Sequence, residues 1–450
     1  MKSKISLETF NKLPVSQAVV KNAVPAMLTM LMFLIYNLAD TLFIGMTHDA
    51  YQVAAISLTT PLFMMFTAFA NIFGMGGLSV ISRAMGEQKT DYARKVSSFC
   101  TWMAVGVGVL LAAVFLIFAR PILNGLGASS DTLPLAHSYL CIVTFSGPFT
   151  MMSGAFSKLL MADGQPKKAM MGSMLGNLLN IVLDPIFILA FHWNIAGAAI
   201  ATLISNVIAA AYYILYFMRN DSSLSINIKD FSARDKICTS VLAIGIPAAL
   251  GALVMGVSTM FVNRLMASYG DMALAGIGVA MKITMITGML CTGIGQGIQP
   301  LLGYCVGAKD LNRYKETLKF SLLFAFAVSI AMTVLCYLFT GQIVGAFLTE
   351  ADAFDYAFRF GRIFLSTSAL FGVFYVLLNS LQAMGAAVPA LIVNISRQGL
   401  IYIPVLYILN ATVGVNGLAW AQPVADVLSL VLVAGLSVAN SRKRLAGTNK

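Results

Sequence analysis

The chain has 450 residues, a mean hydropathy of +0.84, 59% hydrophobic residues and only 10% charged ones. Soluble domains carry roughly 25% charged residues, so this composition excludes an ordinary soluble globule and describes a polytopic membrane protein. Three histidines and six scattered cysteines without a CxxC pair exclude a disulfide framework and leave little material for a metal centre. The net charge of +11 does not indicate nucleic acid, because the basic residues sit in alternate loops, as the positive-inside rule expects. The first 20 residues are polar and basic with no cleavable apolar core, so no signal peptide is expected.

In chain order, twelve apolar runs follow: 22–46, 53–82, 96–119, 133–161, 169–190, 195–218, 239–263, 272–303, 320–345, 358–383, 387–410 and 415–438. Each is long enough to span a bilayer as a helix. The second loop holds Arg83, Lys89, Arg94 and Lys95, and the fourth holds Lys167 and Lys168. The sixth holds Arg219, Lys229, Arg234 and Lys236; the eighth holds Lys309, Arg313, Lys315 and Lys319; the tail holds Arg442, Lys443, Arg444 and Lys450. The first and fifth loops have no cation, the third has only Arg120, and the tenth, near Gly385, is neutral on this test. Both termini are therefore expected in the cytoplasm, with the chain in a bacterial or archaeal plasma membrane.

The sixth loop is the longest polar interruption, and it predicts an N-terminal six-helix lobe over 1–218, a cytoplasmic linker over 219–237 and a C-terminal six-helix lobe over 238–450. The halves read as copies. Pro25 matches Pro247, Gly74 matches Gly295, Gly76 matches Gly297, Gly86 matches Gly307, Gly164 matches Gly385 and Gly197 matches Gly417, at an offset of 220 to 222 residues. Six helices per copy preserve orientation, so the copies are expected around an axis along the membrane normal with a central cavity between them. Met-rich and Phe-rich walls would suit an adaptable apolar cavity, although such residues in a membrane are usually packing.

Polar groups inside the apolar runs locate the chemistry. In the fifth run Asn177, Asn180 and Asp184 share one helical face, and Pro185 removes the N–H that would bind the Ile181 carbonyl. Two amide oxygens, a carboxylate and a freed carbonyl can cradle a small hard cation. The first run carries Tyr36, Asn37 and Asp40, at a depth similar to Asp184, and Thr202 enters from the sixth run. An intramembrane carboxylate is costly and is expected to face protein or a watered cavity. Two such groups close together repel, and either a proton or Na⁺ relieves them, which makes the pair an ion-sensitive switch that could re-bend the helices at Pro25 and Pro185. The rival readings are a static buried polar network and, for Asp40, a charge snorkelling from a helix end.

The second half lacks these acids: the repeat positions of Asp40 and Asp184 fall near Val262 and Val405. It has Lys282, Gln296, Gln299, Arg397, Gln398 and Asp426 instead, and Asp426 with Arg397 or Lys282 reads as an interhelical pair that holds the bundle. There is no HExxH, Walker lysine loop, nucleophile–base pair or metal-ligand cluster, so an enzyme is not expected.

In their order, several segments carry a resemblance: Asn37-Leu-Ala-Asp40-Thr-Leu-Phe-Ile-Gly45, Gly74-Met-Gly-Gly with Arg83-Ala-Met-Gly86, Ala162-Asp-Gly164, and Asn180 with Asp184-Pro185. In the second half they are Gly295-Gln-Gly-Ile-Gln-Pro300, Gln382-Ala-Met-Gly385 and Ala421-Gln-Pro-Val-Ala-Asp426. Over essentially its whole length the chain resembles the multidrug and toxic compound extrusion (MATE) transporters, and looks closest to the DinF-like or MepA-like branches. The resemblance implies twelve helices in two pseudo-symmetric bundles forming a V. It also implies a secondary antiporter that exports amphipathic, usually cationic drugs or toxic compounds in exchange for Na⁺ or H⁺. The matching coupling positions are Asp40, Asn180, Asp184 and Thr202, where Na⁺ would bind, with Tyr36, Asn37 and Asn177 as secondary candidates and Pro25 and Pro185 as hinges. No cofactor beyond the coupling ion is implied, the expected partners are small organic compounds and the bilayer, and a monomer is expected. The alternative is a lipid-linked oligosaccharide flippase of a related superfamily, which would need cations such as Arg264, Lys282 and Arg397 aimed at pyrophosphate.

Overall fold

A computed structural model describes residues 10–46, 49–219, 222–348 and 350–447. Of the cations and linker residues considered above, Lys450, Asn220, Asp221 and the side chains of Arg442, Lys443 and Arg444 lie outside the described residues. The membrane helices are α1 (Val15–Gly45), α2 (Ala50–Gly86), α3 (Thr90–Ile117), α4 (Thr132–Ala162), α5 (Pro166–Pro185), α6 (Asn194–Arg219) and α7 (Ile237–Ala267). They continue with α8 (Asp271–Gly307), α9 (Leu311–Leu338), α10 (Ala351–Ser368 with Phe371–Ala383), α11 (Ala387–Ile395 with Tyr402–Val413) and α12 (Val415–Gly447). Eleven spans pass as long apolar helices and the α10 pair, bent by 50°, makes a twelfth among the described residues. All-helical architecture follows from the composition, since lipid offers no partner for a backbone N–H or C=O and a helix satisfies both internally.

The internal repeat is visible in the turns. Gly164 and Gly385 both adopt φ +72, a conformation that suits glycine, and close α4 and α10. In each, the glycine N–H and the next N–H turn back onto helix carbonyls: Gly164 to Met161 and Gln165 to Leu160, Gly385 to Gln382 and Ala386 to Leu381, at 2.9–3.1 Å.

The chain divides into two compact units, and the division does not run through the polar loop. One unit holds 28–245 with the described residues before Pro14; the other holds 14–27 with 246–450. Thus α1 and α7 each change unit in mid-helix. Glycines permit both arrangements. In the second unit a Cβ on Gly293 or Gly297 of α8 would stand 2.7 Å from Cα of Met27 or Ala23 of α1. In the first unit Gly76 of α2 lies against the Val241 backbone and Gly245 against that of Ile72. Gly76 and Gly297 are repeat partners and do the same thing in the two copies: they let backbones touch.

The segment after α6 is strapped to the first unit. Ser98 Oγ donates to the Asn227 carbonyl at 2.7 Å and Trp102 Nε1 to the Ile226 carbonyl at 3.1 Å. Phe99 stacks on Phe231 at 5.8 Å, and Arg94 pairs with Asp230 at 3.5 Å. At the α4–α5 turn Asp163, 2% exposed, accepts from Ser222 Oγ at 2.9 Å. Burial outweighs that bond and lifts its carboxyl from 3.8 to about 6. A carboxyl raised in this way is held protonated more firmly in the folded chain. Its stabilising share is complete below pH 3.8 and is lost as pH climbs through 6, worth about 3 kcal/mol in all. The melting temperature in detergent should therefore fall more steeply between pH 5 and pH 7.5 for the native chain than for Asp163→Asn. Parallel curves for the two proteins would show that Asp163 does not titrate there.

Candidate functional site

A cluster of acids, amide and hydroxyls forms in the first unit where α1, α4, α5 and α6 meet. Asp184 is fully buried, Asn180 is 2% exposed and Thr202 6% exposed, while Asp40 is half-buried. Asn180 spans from α5 to α6: with its Nδ2 donating to Asp184 Oδ2 at 2.8 Å, its amide oxygen accepts from the Thr202 N–H at 3.3 Å. The Tyr36 hydroxyl on α1 is hydrogen-bonded to the Thr202 side chain and within electrostatic reach of Asp40 and Asp184. The two carboxylates are within reach of each other. Asp184 Oδ1 has no hydrogen-bond partner among the described residues. A buried carboxylate oxygen left open is costly, and a proton or a hard cation removes the cost. Asp40, Asp184, Asn180 and Thr202 offer oxygen ligands of the kind Na⁺ takes, and no set of three or more His, Cys, Asp or Glu suited to a tightly held metal occurs among the described residues.

The remaining candidates are placed differently. Asn37 donates to its own helix at the Phe33 carbonyl, 2.7 Å away. Asn177 is half-buried, about two turns from Asp184 along α5. Pro25 lies inside continuous α1, two residues before the chain changes unit. Pro185 offers no N–H to the Ile181 carbonyl, and beyond it the helix changes form: α5 stays helical through Pro185 and then widens into a π-turn, Ile186–Ala190, with Phe191 N–H bonded to the Ile186 carbonyl at 2.9 Å. A π-turn absorbs one extra residue in the ladder, which is how helices accommodate a local mismatch at functional positions.

One participant was not foreseen. Tyr139 of α4 lies within electrostatic reach of both Asp40 and Asp184. It follows His137 and Ser138 near the start of its helix, and nothing in that local sequence ties it to acids on other helices. An apolar cluster packs beside the acids. Ile44, Ile188 and Ala198 cluster with Phe43, Ile56, Leu189 and Tyr139. Ile44 and Ile188 each stand one turn past Asp40 and Asp184, so the same two segments carry the charges and the apolar contacts.

In the second unit the corresponding helices hold an ion pair. Arg397 Nε donates to Asp426 Oδ1 at 2.9 Å, and Arg397 Nη1 donates to Tyr375 Oη at 3.0 Å. Gln422 Nε2 donates to Asp426 Oδ1 at 3.0 Å and Thr367 Oγ1 to Asp426 Oδ2 at 3.4 Å. The guanidinium lies 4.8 Å from the ring centres of Phe371 and Phe374. Lys282, the other candidate partner for Asp426, instead sits over the Phe347 ring at 5.1 Å. Arg397 is part of a second π-turn, Ser396–Leu400, and the Ser258 hydroxyl of α7 donates to the Gln398 carbonyl inside it.

Comparison with known proteins follows the internal repeat. The MatE family model matches twice, over residues 25–186 and 247–408. The multidrug export protein MepA of Staphylococcus aureus is 33% identical over 436 residues, covering 97% of this chain and 96% of the relative. The protein of the same description from Staphylococcus haemolyticus is 32% identical over 94% of this chain and 93% of its own length. Among solved structures, an outward-facing multidrug resistance MATE family transporter of the MOP superfamily superposes with a TM-score of 0.91 at 24% identity, covering 97% of each chain. A mutant of the Vibrio cholerae MATE transporter VcmN superposes with a TM-score of 0.90 at 22% identity, covering 95% of this chain and 97% of its own. Two six-helix copies, each matched by the same family model, and relatives one-third identical from end to end make this chain a member of the MatE family, a multi-pass MATE transporter.

Proposed function

We propose that the protein is a secondary multidrug antiporter that exports amphipathic or cationic compounds in exchange for H⁺ or Na⁺. The observation that carries this reading is the fully buried Asp184, with one open carboxylate oxygen and Asp40 within electrostatic reach. The MepA relatives, described as multidrug export proteins, support the substrate class. An ion entering from outside neutralises the pair and favours one state of α1 and α5, with Pro25 and Pro185 as the points where those helices adjust. Ion release inward restores the charge, and a cationic compound is then attracted from the cytoplasmic side. The protein works as a monomer with both termini in the cytoplasm, and the energy comes from the ion gradient alone. Against the flippase alternative, Arg397 is engaged by Asp426 and Tyr375, and Lys282 by an aromatic ring.

Proteoliposomes loaded with ethidium test the scheme when Na⁺ and H⁺ gradients are imposed one at a time. One gradient should drive transport several-fold above the no-gradient rate, and the other should not. Equal transport with neither gradient would reject ion coupling.

A further inference from the structure

An apolar groove of about 570 Å³ runs along the lipid-facing side of the second unit between α9 and α10, lined by Lys315, Leu318, Lys319, Leu322, Phe326 and Val373. We propose that it is a binding site for an anionic phospholipid, with the phosphate on Lys315 and Lys319 and an acyl chain along the leucines. The pattern is built into α9. Lys315 and Lys319 are one turn apart on one face, and Leu322, Leu323 and Phe326 continue that face. A second stripe on α9, Thr317, Ser321, Ala325 and Ser329, is buried. The second wall exists because α10 bends by 50° after Ser368 and returns to α9 at Gly372, whose N–H donates to Ser329 Oγ at 3.1 Å.

The dimensions select the occupant. Phe326 lies eleven residues beyond Lys315, about 16 Å along the helix. That is close to the depth of one leaflet, about 15 Å of hydrocarbon. Two lysines at one end of an open apolar groove one leaflet long match a phospholipid with a net negative headgroup, and neither an inorganic anion nor an uncharged amphiphile uses both parts. The ion pairs formed among the described residues engage other cations, so both ammonium groups are available at the mouth. That this leaflet is the cytoplasmic one rests on the topology proposed above; binding itself does not.

The full-length protein in nanodiscs of equal phosphatidylglycerol and phosphatidylcholine, with both lipids in both leaflets, tests the site apart from topology or transport. Native mass spectrometry of the ejected protein reads retained lipid. The native chain should retain phosphatidylglycerol preferentially. Lys315→Gln with Lys319→Gln should reduce that preference roughly tenfold or more, from two lost cation contacts. Leu322→Trp should reduce retention with both lysines present, and Lys167→Gln with Lys168→Gln should leave the preference unchanged. Equal retention of the two lipids by the native chain, unchanged preference in the double-lysine variant, or unchanged retention in Leu322→Trp overturns the proposal. So does an equal loss in the Lys167/Lys168 control, or displacement of the lipid by millimolar inorganic phosphate.

Discussion

Asp184→Asn is expected to abolish gradient-driven transport, bringing ethidium movement in proteoliposomes down to that of protein-free vesicles while the protein still folds. The asparagine keeps the size of the side chain and a hydrogen bond with Asn180, so packing around the fully buried position survives. What disappears is the charge. An amide neither binds a proton reversibly in this range nor offers Na⁺ an anionic ligand, so the ion no longer distinguishes two states, and a ligand without differential affinity shifts nothing. Asp40→Asn should have the same sign, since each carboxylate matters through the other. Asn37→Ala, at a side chain bonded to its own helix, should retain most activity. Substrate binding, followed by ethidium fluorescence, separates lost coupling from lost binding and should change only several-fold in Asp184→Asn. Transport by Asp184→Asn at the native rate would remove the acidic cluster from the mechanism.

The second large effect lies in the other unit and concerns stability. Arg397→Ala should destabilise the protein by about 3–5 kcal/mol, because it strands Asp426 inside the bundle with only Gln422 and Thr367 as donors. The guanidinium also packs on Phe371 and Phe374, so truncation opens a hole among rings. Replacing both charges, as in Arg397→Met with Asp426→Leu, should recover most of that loss, since a buried pair costs nearly as much desolvation as it returns. Thermal unfolding in detergent reads both variants. A native melting temperature for Arg397→Ala would show that the pair carries no structural load.

These two sites differ in how openly they could be read. Asp40, Asp184 and Asn180 announce themselves because a charge or amide in an apolar run is rare, and helical spacing brings Asn180 and Asp184 to one face. Arg397 and Asp426 stand out for the same reason, and only one of the two cations considered for Asp426 reaches it. The repeat was also legible, because glycines at backbone crossings tolerate no replacement and keep their spacing in both copies. Tyr139 was not, since nothing in its own stretch of chain points to acids on α1 and α5. The attachments of the polar loop escaped for a related reason. Its composition says solvent, yet Ser98 and Trp102 hold it from 124 to 129 residues away in the sequence, and such pairings leave no local pattern. The π-turns escaped as well: Pro185 marks the lost bond at the Ile181 carbonyl, but the extra residue taken up after it has no signal in the sequence.

The mid-helix exchange of α1 and α7 has a consequence for biogenesis. Residues 14–27 leave the ribosome well before the helices they pack with, which lie beyond residue 246 and are made more than two hundred residues later. The opening turns of α1 must wait in the membrane with their glycine-lined berth unbuilt. The 28–245 unit, in contrast, is complete once the beginning of α7 has been synthesised. Cutting the gene at the polar loop would leave each product without a segment it needs, whereas joint expression of both fragments would restore every packing partner.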